Sequence, residues 1–268
     1  MPYEAHIDRK NPACFVFLVD QSGSMGEQCI GAEAGVSKAQ ALASRINSVL
    51  AEIVIKCSND TIRDYFHVAV IGYGDGIYSR FNGLVPVSGM DRLARVEEQV
   101  DPVTGDRFKA RCWLDPVAVG HTPMCAALSD AHKLVAEWAR THPASFPSIV
   151  FNFTDGQSTD GDPAEIAQQL RAVSGNDGRA LLFNGHLSSL DSGVIEYPVT
   201  VADLPKDDPH ALMLFGMSSV IPDSMRVLAQ RPGGFQIKPG GRGMVFNGDY
   251  AAVLNLLDMG TRTQLDSA

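Results

Sequence analysis

The sequence has no apolar stretch approaching the ~18–20 residues a helix needs to cross a bilayer, which excludes a transmembrane helix. Its opening, MPYEAHIDRKNP, lacks a basic region followed by an apolar core, so it does not read as a secretory signal. Basic residues are in the minority. Lys and Arg number 22 against 31 Asp and Glu, giving a net charge of −9 and a pI of 5.2, which argues against general nucleic-acid binding. Cysteines are few, odd in number and scattered. Cys14, Cys29, Cys57, Cys112 and Cys125 show no C-x-x-C or Cys/His spacing of the kind zinc needs, and a reduced, cytoplasmic setting is expected. Cys14 and Cys57 lie in apolar segments and read as small core residues. Three catalytic signatures are also missing: the phosphate-binding G-x-x-x-x-G-K-[ST], a G-x-G-x-x-G after the first apolar run, and a G-x-S-x-G elbow.

The chain nevertheless has ample material for a core. Of its 268 residues 45% are hydrophobic and 20% charged, with both signs mixed, so it is not disordered as a whole. Its length fits one large domain or two small ones. With no boundary signal, a single domain over 1–268 is expected, with its core at about 13–230 and a C-terminal extension, 231–268, packing on the same domain.

Short apolar runs alternate with helical periods. ACFVFLV (13–19) is continuous and bounded by Asn11-Pro12 and Asp20, as a strand covered on both faces would be. YFHVAVI (65–71), SIVFNFT (148–154) and RALLFNGHL (179–187) follow suit, and HALMLFGM (210–217) is read as the last central strand. Val36, Ala39, Ala43, Ile46, Leu50 and Ile53 recur at helical spacing. So do Leu128, Ala131, Leu134, Val135 and Trp138, and further helices are expected at 163–173, from Pro222 to Gln230, and at 249–258. The alternation predicts a doubly wound, mostly parallel, Rossmann-like α/β sheet with helices on both faces. The glycine-rich section at 74–121, with its DPVTGD turn and a short strand FKARCWL (108–114), reads as an edge hairpin and insertion.

In open α/β sheets ligands bind at the carboxyl ends of the strands. There the sequence places Asp20, Ser22 and Ser24 after the first strand, Asp155 after the strand at 148–154, and Thr122 before a helix. Carboxylates and hydroxyls are hard donors suited to Mg²⁺, Mn²⁺ or Ca²⁺ rather than zinc or copper. Taken singly, each has a plainer role: the serines as caps or turn residues, Thr122 as a cap ahead of Pro123, Asp155-Gly156 as a turn. Glu27, Asp75, Asp160 and Asp162 could flank an ion but are read as solubilising the loops. His121 is read as a surface group, Met213 and Met217 as core filler, and Trp113, Tyr73 and Tyr78 as either a contact surface or hairpin packing.

FVFLVDQSGSM (15–25), VGHTPMCAAL (119–128) and IVFNFTDGQST (149–159) together resemble the strand and metal loops of von Willebrand factor type A domains, over roughly residues 13–230. The resemblance implies a metal-ion-dependent adhesion site formed by Asp20, Ser22, Ser24, Thr122 and Asp155. In that family the hydroxyls bind the ion, the aspartates often act through water, and a partner protein's Glu or Asp takes the last position. The expected cofactor is Mg²⁺ or Mn²⁺, with Ca²⁺ behind them. The resemblance also points to a non-enzymatic binding module of bacterial signalling, stress or defence, partnered by an AAA+ ATPase, kinase or phosphatase encoded alongside. Two alternatives stand beside it. One is a metal-dependent phosphohydrolase or phosphotransferase, although Ser22 sits where aspartyl phosphatases carry a second Asp. The other is a structural subunit with a silent metal site.

Overall fold

A computed structural model describes residues 2–30, 32, 34–100, 105–188, 193–230 and 236–247. The run after Pro12 forms β1 (Ala13–Asp20), every residue of which is buried. Helix α1 (Lys38–Lys56) begins at a capping box in which Ser37 Oγ accepts the Gln40 N–H and Gln40 Oε1 accepts the Ser37 N–H. It turns Leu42, Ile46, Val49, Leu50 and Ile53 onto the sheet. Next come β2 (Phe66–Gly74), β3 (Gly76–Ser79), β4 (Val85–Pro86), α2 (Val87–Arg92), β5 (Arg95–Val100) and β6 (Arg107–Cys112). Helix α3 (Met124–Thr141), β7 (Ile149–Thr154) and α4 (Ala164–Ala172) precede the small β8 (Ser174–Gly175) and β9 (Gly178–Arg179). The described chain closes with β10 (Leu181–His186), β11 (Ile195–Glu196), α5 (Pro209–Met217), α6 (Asp223–Ala229) and β12 (Met244–Phe246).

Among the described residues the main sheet runs β11-β12-β10-β7-β1-β2-β3, with β4 also paired to β2. The five strands from β12 to β2 are mutually parallel, and β3, β4 and β11 add antiparallel edges. This is the expected α/β class. Alternation along β1 sends Phe15, Phe17 and Val19 into one core with α1, α2 and α6. Cys14, Val16 and Leu18 enter a second core with α3, α4 and α5. Buried on that second side, a polar chain crosses the sheet. Tyr73 Oη donates to Asn152 Oδ1 (2.8 Å), Asn152 Nδ2 to Asn184 Oδ1 (3.0 Å), and Asn184 Nδ2 to Ser218 Oγ (2.9 Å).

Two sequence expectations are corrected. Residues 210–217 form α5, not a strand. Asp208 Oδ1 accepts the Ala211 N–H at 2.9 Å and Pro209 opens the helix, a start signal that outweighs the short apolar run. The strand position beside β10 belongs instead to β12, three residues long and too brief to read as a periodic pattern. The 74–121 section is more regular than an edge hairpin and loop: β3 edges the sheet, β4 and α2 follow, and β5–β6 form a separate antiparallel ribbon. The helix expected at 249–258 lies outside the described residues.

Candidate metal centre

The parallel register levels the strand ends. Asp20 stands beside Tyr73, Val19 beside Phe153, and His186 beside Thr154, so the loops after β1 and β7 leave the sheet at the same height. Asp20 is 1% exposed and both of its oxygens are engaged. Oδ1 accepts the Ser22 N–H at 2.8 Å, and Oδ2 accepts the Thr154 hydroxyl at 2.6 Å. Burial raises its titration to about 6, against the lowering influence of the bonds from Ser22 and Thr154 and with the added push of the Asp155 charge. Asp20 and Asp155 are therefore close enough to feel each other's charge.

The loop after Asp20 coils into a single 3-10 turn, Gly23–Gly26. Ser22 occupies the position before the turn, yet its side chain makes no capping bond. Its hydroxyl instead lies 3.1 Å from that of Ser24. The helix-cap reading of Thr122 also fails, because α3 starts after Pro123 with no side-chain cap.

Backbone bonds fasten the three loops together. The Gly23 N–H donates to Gly120 O (3.1 Å) and the Val119 N–H to Gln21 O (2.7 Å). The Thr122 N–H donates to Thr159 Oγ1 (2.9 Å), while Thr122 O accepts the Thr159 N–H (3.0 Å). Two glycines permit this closeness. A Cβ on Gly74 would stand 2.7 Å from the carbonyls of Gln21 and Val119. One on Gly120, where φ is +79°, would stand 2.7 Å from the Asp75 backbone.

Asp155 completes the group. Its side chain is only 8% exposed and Oδ2 lies 3.6 Å from Lys38 Nζ. Its other oxygen, Oδ1, is buried without a hydrogen-bond partner. A buried acceptor left bare costs about 1–3 kcal/mol, a cost that an electrophile bound to it would relieve. Carboxylates and hydroxyls without imidazole or thiolate make a hard-donor set, and these residues fit Mg²⁺ or Mn²⁺.

The structure thus gathers Asp20, Ser22 and Ser24 in direct contact, sets Asp155 within charge range of Asp20, and ties Thr122 to the same edge through its backbone. Of the rim acids, Glu27 pairs with Lys38, and Asp160 accepts the N–H groups of Cys125 and Ala126 at the start of α3. Asp162 accepts the Ala164 N–H at the start of α4, and Asp75 is exposed, as His121 is. Trp113 and Tyr73 are buried, whereas Tyr78 is exposed. Met217 is buried and Met213 packs partly buried against the same core. Sequence reasoning missed Thr154, which pins Asp20, and Lys38. Thr154 adjoins Asp155 and ends an apolar strand, a signal that was available; Lys38 had none.

No protein-family model matches the sequence, and neither does any curated protein. Among solved structures, a D319A mutant of the PilB minor pilin from Streptococcus sanguinis shares the fold at TM-score 0.50 and 9% identity, over 96% of this chain and 62% of that one. The vWF domain of the type V pili tip protein Mfa5 from Porphyromonas gingivalis aligns at TM-score 0.38 and 13% identity, over 56% of this chain and 39% of that one. At 9% identity the PilB match is a likeness of fold. A manganese-loaded Plasmodium vivax TRAP protein aligns at TM-score 0.42 and 15% identity, over 92% of this chain and 72% of that one. The chain spans only 20%, 39% and 48% of the first three structures it matches. No helix among the described residues is long and apolar enough to cross a membrane.

Proposed function

We propose that this chain is a von Willebrand factor A-like, non-enzymatic interaction module that holds Mg²⁺ or Mn²⁺ at Asp20, Ser22, Ser24, Thr122 and Asp155 and docks an acidic side chain of a partner protein. The observation that carries the reading is the bare, buried Oδ1 of Asp155, at the edge where the paired hydroxyls of Ser22 and Ser24 meet a fully engaged Asp20. A divalent ion held there supplies a strong, incompletely neutralised positive charge for which a carboxylate from outside is the natural complement. The chain's own residues prepare for it. Thr154 and the Ser22 N–H fix the Asp20 carboxylate, the 3-10 turn that follows Ser22 keeps its hydroxyl beside that of Ser24, and the bonds between Thr122 and Thr159 hold the loops in register.

The partner suggested by the family resemblance is an AAA+ ATPase, kinase or phosphatase encoded alongside, in a bacterial signalling, stress or defence complex. All five cysteines are free thiols, which supports a reduced, cytoplasmic setting. The test is Mn²⁺ titration followed by electron paramagnetic resonance, joined to partner capture in Mg²⁺ and in EDTA. Bound Mn²⁺ that disappears in a Ser22→Ala/Ser24→Ala double variant, with a partner released by EDTA and by Asp20→Ala, is the expected result. Capture indifferent to both chelator and Asp20→Ala rejects the mechanism.

A further inference from the structure

Lys38 opens α1 with its side chain only 2% exposed. Lysine is almost never fully buried unless paired, and the first turn of a helix, the positive end of its dipole, favours carboxylates over ammonium groups. Two carboxylates hold it there: Nζ lies 2.9 Å from Glu27 Oε2 and 3.6 Å from Asp155 Oδ2. The two partners differ in setting. The Glu27 side chain is 58% exposed and that of Asp155 only 8%, so the ammonium bridges from the solvent rim to the interior of the candidate centre. The main chain repeats the link, since the Lys38 N–H donates to Glu27 O at 2.8 Å. The start of α1 and the end of the serine loop are therefore one connected piece. Asp155 faces this ammonium through Oδ2 while its Oδ1 stays bare.

We propose that Lys38 is a tethered cation that sets how tightly the centre binds a divalent ion, with Glu27 drawing part of its charge away from Asp155. The inference rests on the metal-binding reading above and concerns affinity at that site. A fixed positive charge 3.6 Å from the Asp155 carboxylate opposes a dication held by that carboxylate, and it also offsets the mutual repulsion of Asp20 and Asp155 when no ion is bound. The two partners of the salt bridge should then act in opposite directions. Removing the ammonium exposes the ion to one more uncompensated carboxylate. Removing the Glu27 charge shifts the ammonium's pairing toward Asp155, against the ion.

The experiment is calorimetric titration of Mn²⁺ into the full chain as wild type, Lys38→Met and Glu27→Gln, with thermal melts in EDTA. Lys38→Met is expected to bind about tenfold more tightly and Glu27→Gln about tenfold more weakly. In EDTA, Lys38→Met should melt below wild type, and its gain in melting temperature on adding Mn²⁺ should exceed the wild-type gain. Affinities within about twofold of wild type in both variants, or shifts in the same direction, overturn the proposal, because loss of packing alone would not reverse sign. If Lys38→Met does not fold, the exposed Glu27→Gln carries the test, and an unchanged affinity overturns it. Wild type that binds Mn²⁺ beside unresponsive variants sinks only this proposal. Failure of both wild type and Lys38→Met to bind sinks the metal reading as well.

Discussion

Replacing Asp20 by Asn should make the metal-free protein more stable while removing its response to metal. The cause lies in burial: Asp20 sits 1% exposed at the end of β1, and its titration is raised from 3.8 to about 6. A carboxyl moved that far upward means that the fold disfavours its ionised form, by about 3 kcal/mol once fully deprotonated. The sign follows from proton counting. Between 3.8 and about 6 the folded state holds a proton that the unfolded state has released, so this group's contribution to stability falls as pH rises through that window. Below the window both states are protonated and nothing is lost; above it the penalty is complete. Asparagine keeps the shape and carries no charge: its carbonyl oxygen still accepts the Ser22 N–H, and its amide NH2, in the place of Oδ2, donates to the Thr154 hydroxyl oxygen instead of accepting from it. Urea denaturation in EDTA should therefore show Asp20→Asn level with wild type near pH 4, and ahead of it by up to about 3 kcal/mol at pH 7.5. In Mn²⁺ the order should reverse, because ligand binding to the native state stabilises only the protein that can bind it. An Asp20→Asn protein no more stable than wild type in EDTA at pH 7.5, with a difference flat across pH, would refute the argument that burial strains this carboxylate.

Thr154→Val preserves shape but strands Asp20 Oδ2 and the Gly156 N–H that Thr154 Oγ1 accepts at 2.9 Å. A loss of about 2–4 kcal/mol in urea denaturation is expected, and one below about 0.5 would mean the hydroxyl is not what pins Asp20. Gly120→Ala must carry a side chain at φ +79° with its Cβ 2.7 Å from the Asp75 backbone. It should cost about 2 kcal/mol or more and lower the melting temperature, and an unchanged melt would show that the loop relaxes freely.

The sequence was most legible where the physics is local. Residues 13–19 are an unbroken apolar stretch bounded by polar residues, Ile149–Thr154 is apolar but for Asn152 and its terminal Thr154, and α1 and α3 show a stripe at helical spacing. The helix α5 was opaque because its residues are apolar almost throughout, so periodicity could not separate it from a buried strand; the deciding signal was Asp208-Pro209, two residues outside the run. Met244–Phe246 is a strand because β10 offers it a parallel edge, which no local pattern announces. At the candidate centre the oxygen-bearing side chains could be read from spacing and loop position. The residues that constrain them, Thr154 and Lys38, are recruited by tertiary contact: Thr154 was marked only by its place beside Asp155 at a strand end, and Lys38 looks ordinary in sequence.

The polar chain from Tyr73 through Asn152 and Asn184 to Ser218 has a consequence for the whole upper rim of the sheet. Apolar strands tolerate sliding past one another, since one valine contact resembles the next. Here a one-residue slip of β7 against its neighbours would leave several amide and hydroxyl groups unmatched inside a greasy layer at once. The strands are thereby locked in height, like rungs cut to a common line, and every loop that rises from them starts from a level foundation.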